Sequence, residues 1–422
     1  MFMKVTILTY GSRGDVQPFI PLSLALMSRG HAVKLVAPAR FKDLVEEYGV
    51  NFVPLAGDPA ELSRRLNDSG YNTIKMVREI MRHAVEIGHD VLLQVEKSCE
   101  DADLVIHTFL HAVGAHTVAR ERNIPDIHVQ IFPVFTPTGD YPNVTLPNLR
   151  IRSLNRLTHQ MARSVSIRIS QVGFDQVRHR VGLPERKLYS PFDGDAHRPP
   201  TPILCAWSPN VIPPSNDWSA NVHVTGYFHD ETFNAYLAPD KLQRFLANGK
   251  PPICVSFGSM LNKDAEKIDR VIRECLERTG NRGIILSGWN QLSPVVSSND
   301  FLYLDAVPHQ WLLPHCKAFI HHGGAGTASA GLRAGIPNIV IPFTADQPFW
   351  GNKIHAIGAG PKPIPVKRLS VRKLTGAIQE SDEITIRMGA NTIGQKLRTE
   401  EGAVAAVDLI EKHYQDFLRL KP

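Results

Sequence analysis

Several loops of this chain carry residue types that could do chemistry. "HHGGAGT" follows a short apolar run and sets His322 ahead of Gly323, Gly324, Ala325, Gly326 and Thr327. Glycines let a backbone approach a ligand closely, and a helix starting there offers unpaired N–H groups and the positive end of its dipole to an anion. A phosphate suits such a loop. Thr327 adds a hydroxyl, and His322 can donate to a phosphate oxygen. The same residues also suit a tight strand-to-helix turn that needs glycine for packing alone, and the loop by itself leaves both readings open. Downstream, "FTADQPFWG" places Asp346 and Gln347 after the next apolar run, where acceptors and amide donors together match neighbouring hydroxyls of a sugar. Upstream, "VSFGSM" brings Gly258 and Ser259, and "AVPHQW" brings Val307, Pro308 and His309. In a parallel sheet, loops of this kind converge on the carboxyl ends of the strands.

The elements needed to position them are legible. "KVTILTY" reads as a strand, "GSRGD" as a glycine turn, "PFIPLSLALMSR" as a helix with Pro18 in its first turn and Gly30 at its stop, and "AVKLVAP" as a second strand. The same β-α-β order recurs as "KAFIH", "HGGAG", "TASAGLRA" closed by Gly335, and "NIVIP". Further strand-like runs ("DLVIHTF", "PDIHVQIF", "PPICVSFG", "RGIILSG", "FLYLDAV") alternate with helical stretches, which predicts parallel sheets covered on both faces. The expected fold is α/β, with two doubly wound Rossmann-like domains. Their boundary is expected in the proline-rich region from Ser190 to about Asp230, giving domains of residues 1–222 and 223–402. A closing helix at about 403–422 is expected to pack back on the first domain.

Composition sets the limits. A chain of 422 residues, 43% hydrophobic and 21% charged, is ordinary globular protein. No run reaches the length of a membrane span, and "MFMKVTILTY" alternates too much for a signal peptide, so the expectation is a cytoplasmic protein. Five cysteines with no C-x-x-C pair read as reduced thiols. From Arg150 to Lys187 nine Lys/Arg face two acids, a net +7 against +6 for the whole chain. Interleaved with Leu154, Leu157, Met161 and Val165, that segment fits either peripheral contact with an anionic membrane or a solvated helix face. Nucleic-acid binding is not expected, because no recognition motif or aromatic interleaving accompanies the charge. Neither is a metal site. Asp101 and Asp103 precede a strand, Asp193 and Asp195 sit among prolines, and no carboxylate or Cys is expected to complete a ligand set with His107, His111 and His116.

Read in order, "YGSRGDVQPFIPL", "DWSANVHVTGYF", "VPHQWL", "HHGGAGTASAGLRAGIP" and "PFTADQPFWG" resemble the GT-B nucleotide-sugar glycosyltransferases of the UDP-glycosyltransferase family, and within it the sterol glucosyltransferase branch. The resemblance covers both halves of the chain. It implies a GT-B fold with two Rossmann-like domains facing a cleft. His322 and the turn Gly324, Ala325, Gly326 and Thr327 would hold the donor diphosphate, with Ser259 on a phosphate and the Val307 backbone on the nucleobase. Asp346 and Gln347 would hold sugar hydroxyls. Ala306 stands where many plant members have a Trp stacked on uracil, and Ala330 where they have a ribose-binding Glu. A UDP-sugar is therefore implied as co-substrate, a TDP-sugar stays open, and no other cofactor is implied.

The resemblance also implies a metal-independent, inverting transfer, with Asp15 as general base where plant members carry a His. Asp15 equally suits a helix cap. A helix N-terminus favours the carboxylate and weakens it as a base, whereas desolvation by an apolar acceptor works the other way. The N-terminal half would choose the acceptor. "FPVFTPTGDYP", with Phe132 and Phe135, and the nearby His107 and His111 are the expected pocket lining, suited to a lipophilic alcohol or phenol such as a sterol, glycolipid precursor or polyphenol. The alternative is a non-catalytic homologue binding nucleotide or a hydrophobe, against which the retention of Asp15, His322, Asp346 and Gln347 argues. A dinucleotide oxidoreductase would need G-x-G-x-x-G spacing, which neither glycine loop has.

Overall fold

A computed structural model describes residues 1–68, 73–144, 146, 150–180, 182, 186–194, 198–229, 236–258, 265–287 and 298–420. The chain opens with β1 (Lys4–Leu8), α1 (Arg13–Val16), α2 (Phe19–Ser28), β2 (Ala32–Pro38), α3 (Lys42–Glu46), β3 (Asn51–Leu55), α4 (Pro59–Asp68) and α5 (Thr73–Ser98). It continues through β4 (Leu104–His107), α6 (Ala112–Glu121), β5 (Asp126–Gln130), α7 (Arg152–Arg180), β6 (Ile203–Cys205) and β7 (Val222–Val224). These strands form one sheet in the order β3-β2-β1-β4-β5-β6-β7, with every pairing parallel.

β1 shows why the sheet is covered on both faces. Val5 and Ile7 enter a core shared with α2, while Leu8 enters a separate cluster with Val36, Val105 and Val118. Near-continuous apolar strands are what such double burial demands. The strands β6 and β7 have only three residues each and lie in the proline-rich stretch, where periodicity is too short to read. Val222 of β7 pairs with Ile203, and the first compact unit accordingly runs past residue 222 to Asp230.

The second unit comprises residues 210–212 and 231–400. Its elements are α8 (Asp240–Ala247), β8 (Ile253–Ser256), α9 (Ala265–Arg278), β9 (Gly283–Leu286), β10 (Phe301–Leu304), α10 (His309–Leu312), β11 (Ala318–His321), α11 (Ala325–Ala334), β12 (Asn338–Val340), α12 (Gln347–Ala356), α13 (Val371–Ser381) and α14 (Ile384–Arg398). Its parallel sheet runs β10-β9-β8-β11-β12. Gly335 ends α11 in the left-handed conformation, φ +76°, where glycine avoids the Cβ penalty.

The closing helix α15 (Gly402–Leu420) belongs to the first unit. Ala406, Val407 and Ile410 share a buried cluster with Phe19, Leu22 and Leu26 of α2. Arg29 reaches Asp408 at 2.6 Å and Glu411 at 3.2 Å, and His31 Nε2 lies 3.0 Å from Glu411. At the start of α15 a Cβ on Gly402 would stand 2.5 Å from the Tyr227 carbonyl oxygen and 2.7 Å from that of Gly226. Both obstacles are backbone, so neither can swing away. Gly402→Ala is therefore expected to cost the first unit about 1–3 kcal/mol, read as a lower melting temperature. An unchanged melting temperature would mean that α15 does not dock this closely.

Both cores also enclose histidines. Burial pushes His111 down to about 4, with the nearby His107 adding to the effect. It pushes His321 down to about 3 and His322 to about 4. Unfolded, each titrates near its ordinary value of about 6.5, so between that pH and 4 the unfolded chain binds more protons than the folded one. Stability is thus expected to fall as pH drops through this window, by up to about 1.4 kcal/mol per pH unit for each histidine. Urea midpoints at pH 7 and pH 5 check this; equal midpoints would mean the rings are not held neutral.

Candidate active site

The strand order of the first sheet reverses between β1 and β4, and the loops that leave their carboxyl ends diverge there. After β1 the chain turns through Gly11, whose φ of +142° and missing side chain make room for Asp15: a Cβ there would come within 2.6 Å of the Asp15 Cγ. Ser12 donates to Asp15 Oδ2 through its backbone N–H at 2.7 Å and its hydroxyl at 2.9 Å. Thr9 Oγ1 donates to the Asp15 carbonyl at 2.7 Å. Asp15 thus does cap α1. The cap uses one carboxylate oxygen, and Oδ1 has no hydrogen-bond partner among the described residues. Desolvation raises the Asp15 pKa, against the lowering influence of the two Ser12 bonds.

Asp15 lies in the wall of a cavity with about 500 Å3 of empty space, part of it open to solvent. Tyr10, Phe19, Phe109, Phe132 and Phe135, with Leu110, Val129, Ile131 and Val134, make the wall predominantly apolar and rich in aromatic rings. Phe109 and Phe135 stack with ring centroids 5.3 Å apart, and Phe135 lies 4.5 Å from Phe192. Phe132 and Phe135 are where the sequence expected lining. His107 and His111 are not in the wall; His128 is. His111 is buried with its ring edge-on to Tyr10, 6.3 Å away.

His107 is turned into the protein because a carboxylate calls for it there. Its Nε2 lies 2.8 Å from Asp126 Oδ2, as does His116 Nδ1, and Thr201 Oγ1 donates to the same oxygen at 3.1 Å. Burial by itself would raise the Asp126 carboxyl, but the two histidines outweigh it and hold the group far below the usual carboxylate range. The expectation that no carboxylate joins these histidines is corrected by the fold, since β5 brings Asp126 beside β4 and α6. The ligand-type atoms of His107, His116 and Asp126 lie within 4.8 Å of one another, a spacing compatible with a metal ion. Three donors converging on one oxygen, however, is the pattern of a satisfied buried carboxylate, and structural zinc sites are closed by four ligands. The available signal was "PDIHVQIF", in which Asp126, His128 and Gln130 alternate with apolar residues in a strand. Asp101 is tied to Lys34 at 2.8 Å, and Asp103 accepts from the Lys4 N–H at 2.8 Å, so neither is gathered with a second acid; Asp195 lies outside the described residues.

The second sheet reverses its order between β8 and β11, and the glycine loop leaves β11 at that point. His321 locks its start: Nδ1 accepts from the Gly323 N–H at 3.1 Å, and Nε2 lies 3.0 Å from Asn338 Oδ1. The glycines then separate by role. Gly323 has φ +90°, and a Cβ would meet Val340 Cγ1 at 2.6 Å and the Gln347 carbonyl at 3.1 Å. On Gly324 a Cβ would meet His322 Nε2 at 2.6 Å. Gly326 is different: a Cβ there would meet nothing within 4 Å. Packing explains the first two glycines and leaves the third as open space beside the helix start.

Gly324 is the N-cap of α11 and has no side chain to cap it. The N–H groups of Ala325, Gly326 and Thr327 precede the first residue that can bond back within the helix, since Ala328 N–H bonds the Gly324 carbonyl at 2.8 Å. His322 is half-buried and neutral near pH 7, and its enclosed Nδ1 has no partner among the described residues. The Gly258 loop after β8 lies alongside, with a hypothetical Cβ 3.6 Å from His322 Cε1. Ser259 lies outside the described residues. Val307 is buried in the same apolar cluster as Ala330, in the middle of α11. Gln347 Oε1 accepts from the Phe343 and Thr344 N–H groups at 2.8 and 3.2 Å, and Asp346 Oδ2 accepts from Trp350 Nε1 at 2.9 Å. Both side chains therefore stiffen the β12–α12 loop against the glycine turn.

Residues 5–139 match the glycosyltransferase family 28 N-terminal domain, and residues 289–403 match the C-terminal domain described as erythromycin biosynthesis protein CIII-like. Two Arabidopsis thaliana proteins, sterol 3-beta-glucosyltransferases UGT80A2 and UGT80B1, are 35% and 33% identical over 97% of this chain. The chain spans 66% and 68% of their lengths, and 30% of a sterol 3-beta-glucosyltransferase from Aspergillus fumigatus that is 31% identical. Among solved structures, the glycotransferase of kitacinnamycin superimposes with a TM-score of 0.72 at 18% identity, covering 98% of this chain and all of that one. The calicheamicin glycosyltransferase CalG4 does so with 0.67 at 15% identity, covering 97% and 98%. The fold is GT-B, and the chain belongs to the glycosyltransferase family that contains these sterol 3-beta-glucosyltransferases.

Proposed function

We propose that this chain transfers a hexose, glucose in the first instance, from a UDP-sugar to the hydroxyl of a lipophilic acceptor such as a sterol, with inversion and without a metal ion. The observation that carries the proposal is Asp15: a carboxylate with one oxygen anchored by Ser12 and the other without a partner among the described residues, in the wall of an apolar, aromatic-rich cavity. As the acceptor oxygen bonds to the anomeric carbon, its proton passes to Asp15 and the bond from that carbon to the diphosphate breaks. UDP leaves carrying the electron pair. Its charge is met by the uncapped N–H groups of Ala325, Gly326 and Thr327 and by one N–H of neutral His322, donors already in place before charge develops. Asp346 and Gln347 are assigned to the sugar hydroxyls, with Ser259 on a phosphate and the Val307 backbone on the base. A TDP-sugar is the second donor to test, because Ala306 and Ala330 supply neither stacking nor a ribose carboxylate, and the structural neighbour SsfS6 was crystallised with thymidine diphosphate. A lipophilic acceptor resides in membranes, and the proposal includes peripheral contact with anionic lipid.

Two substitutions test it. Asp15→Asn keeps the size of the side chain and removes its basicity. Transfer from UDP-glucose to cholesterol is expected to fall by ~10² to 10⁴, with UDP affinity within about twofold of wild type. Equal loss of both would take Asp15 out of the chemistry, and UDP binding without turnover in the wild type would favour the non-catalytic alternative. Gly326→Ala fills open space in the first turn of a helix, where alanine is the better helix former, so stability is expected to hold or rise by up to about 1 kcal/mol. UDP affinity should nonetheless drop about tenfold or more, because the methyl occupies room assigned to the diphosphate. Calorimetric titration and a melting curve on one sample check both, and full UDP affinity in Gly326→Ala would move the phosphate site elsewhere.

A further inference from the structure

Helix α7 buries one face and leaves an apolar stripe on another. Asn155, His159 and Val177 are buried, whereas Leu154, Met161, Val165 and Val172 are 39, 57, 49 and 45% exposed. Their spacing from Leu154 corresponds to about two, three and five full turns, so the four side chains stand in one line roughly 27 Å long. Leu157, 47% exposed, adjoins it. A helix of a soluble domain ordinarily turns such a stripe into the core, and a contiguous exposed one marks an interaction surface.

The charge around the stripe narrows the partner. α7 has six arginines and one acid, Asp175, which accepts from Gln171 Nε2 at 2.8 Å. Part of the basic surplus is used internally: Arg152 is held by Asp140 and Asp217, and Arg163 Nε donates to the Phe135 carbonyl at 2.8 Å. Arg156, Arg168 and Arg180 are exposed and have no partner among the described residues. Arg168 falls between Val165 and Val172 on the stripe. A second copy of the chain would set arginine against arginine. An anionic lipid surface satisfies both features, taking the apolar line at the acyl boundary and the guanidinium groups at its phosphates.

The same helix carries part of the acceptor cavity. Asn155 Nδ2 donates to the Gly139 carbonyl at 3.0 Å, and His159 Nε2 lies 3.1 Å from the Tyr141 carbonyl. With the Arg163 bond, these suspend the segment that contributes Phe132, Val134 and Phe135 to the wall. We propose that α7 is a docking helix for anionic phospholipid, with Leu154, Met161, Val165 and Val172 against the acyl chains and Arg168 and Arg180 on lipid phosphates, joined by hydrogen bonds to the cavity wall; Arg156 lies about 200° round the helix from Leu154 and faces away.

Docking is tested without donor or acceptor, so its failure is separable from failure of the sugar-transfer reading. The full chain is sedimented with phosphatidylcholine vesicles made with and without phosphatidylserine. Binding is expected to be at least ~tenfold tighter on the anionic vesicles and to weaken as salt is raised. The double variant Met161→Glu/Val165→Glu should lose ~tenfold or more of that binding with an unchanged melting temperature and unchanged transfer to detergent-dispersed acceptor. Ile384→Glu/Met388→Glu, at positions 65 and 61% exposed on α14, should bind as wild type does. Equal binding to both vesicles, absence of binding, or binding indifferent to the α7 substitutions would each overturn the proposal. So would a dimer that the α7 substitutions dissociate in a chain that ignores vesicles.

Discussion

The constraint on which both candidate sites depend is the reversal of strand order within each parallel sheet. β1 and β4 are neighbours although β2 and β3 intervene in sequence, and β8 and β11 are neighbours although β9 and β10 intervene. Right-handed crossovers then send the helices after β1 and β4 to opposite faces of the sheet, and likewise those after β8 and β11. A crevice is left at the carboxyl ends that no crossover fills. Asp15 and the aromatic cavity occupy one such crevice, and the Gly323–Thr327 turn the other.

Each crevice is stiffened from behind by buried polar groups rather than by apolar packing alone. His321 fixes the glycine turn through one ring nitrogen and is itself oriented through the other by Asn338, whose amide donates to the Ile336 carbonyl at 2.8 Å. In the first unit, Asp126 gathers His107, His116 and Thr201 and so ties β4, α6 and the segment before β6 to β5. Such networks raise the cost of misplacing any member, since a buried partner left unsatisfied forfeits its desolvation energy. They hold the lips of the two crevices in fixed positions at the cost of acid sensitivity.

What could be read in the sequence follows the distance over which each feature is encoded. The two β-α-β units and the doubly wound architecture were legible because a strand, its glycine turn and its helix are contiguous, and their hydrophobic periods change visibly at the turn. β6 and β7 were not, because three-residue strands carry no period. The role of each glycine was legible only in part. Gly323, Gly324 and Gly326 look alike in "HHGGAG", yet the first two are required by Val340, Gln347 and His322, and only the third borders open space. His107 and His111 looked like pocket residues because they neighbour one another in sequence. The carboxylate that claims His107 is 19 residues away, a pairing set by strand adjacency that no local pattern announces. The basic segment shows the same limit, for charge alone did not reveal which arginines are internally bound.

Asp15 joins the two readings that the sequence left open, and the geometry explains why they do not compete. A carboxylate has two oxygens. Ser12 takes Oδ2 with two donors, which closes the first turn of α1 and fixes the plane of the group. Those same bonds favour the charged form and would make a weaker base, but they fall on one oxygen while desolvation acts on the whole group and is the larger influence. The cap therefore orients the carboxylate while favouring its charged form, and desolvation opposes that influence. An apolar acceptor filling the remaining space would strengthen desolvation further, so under the proposed transfer the acceptor whose proton Asp15 would take also makes Asp15 a stronger base.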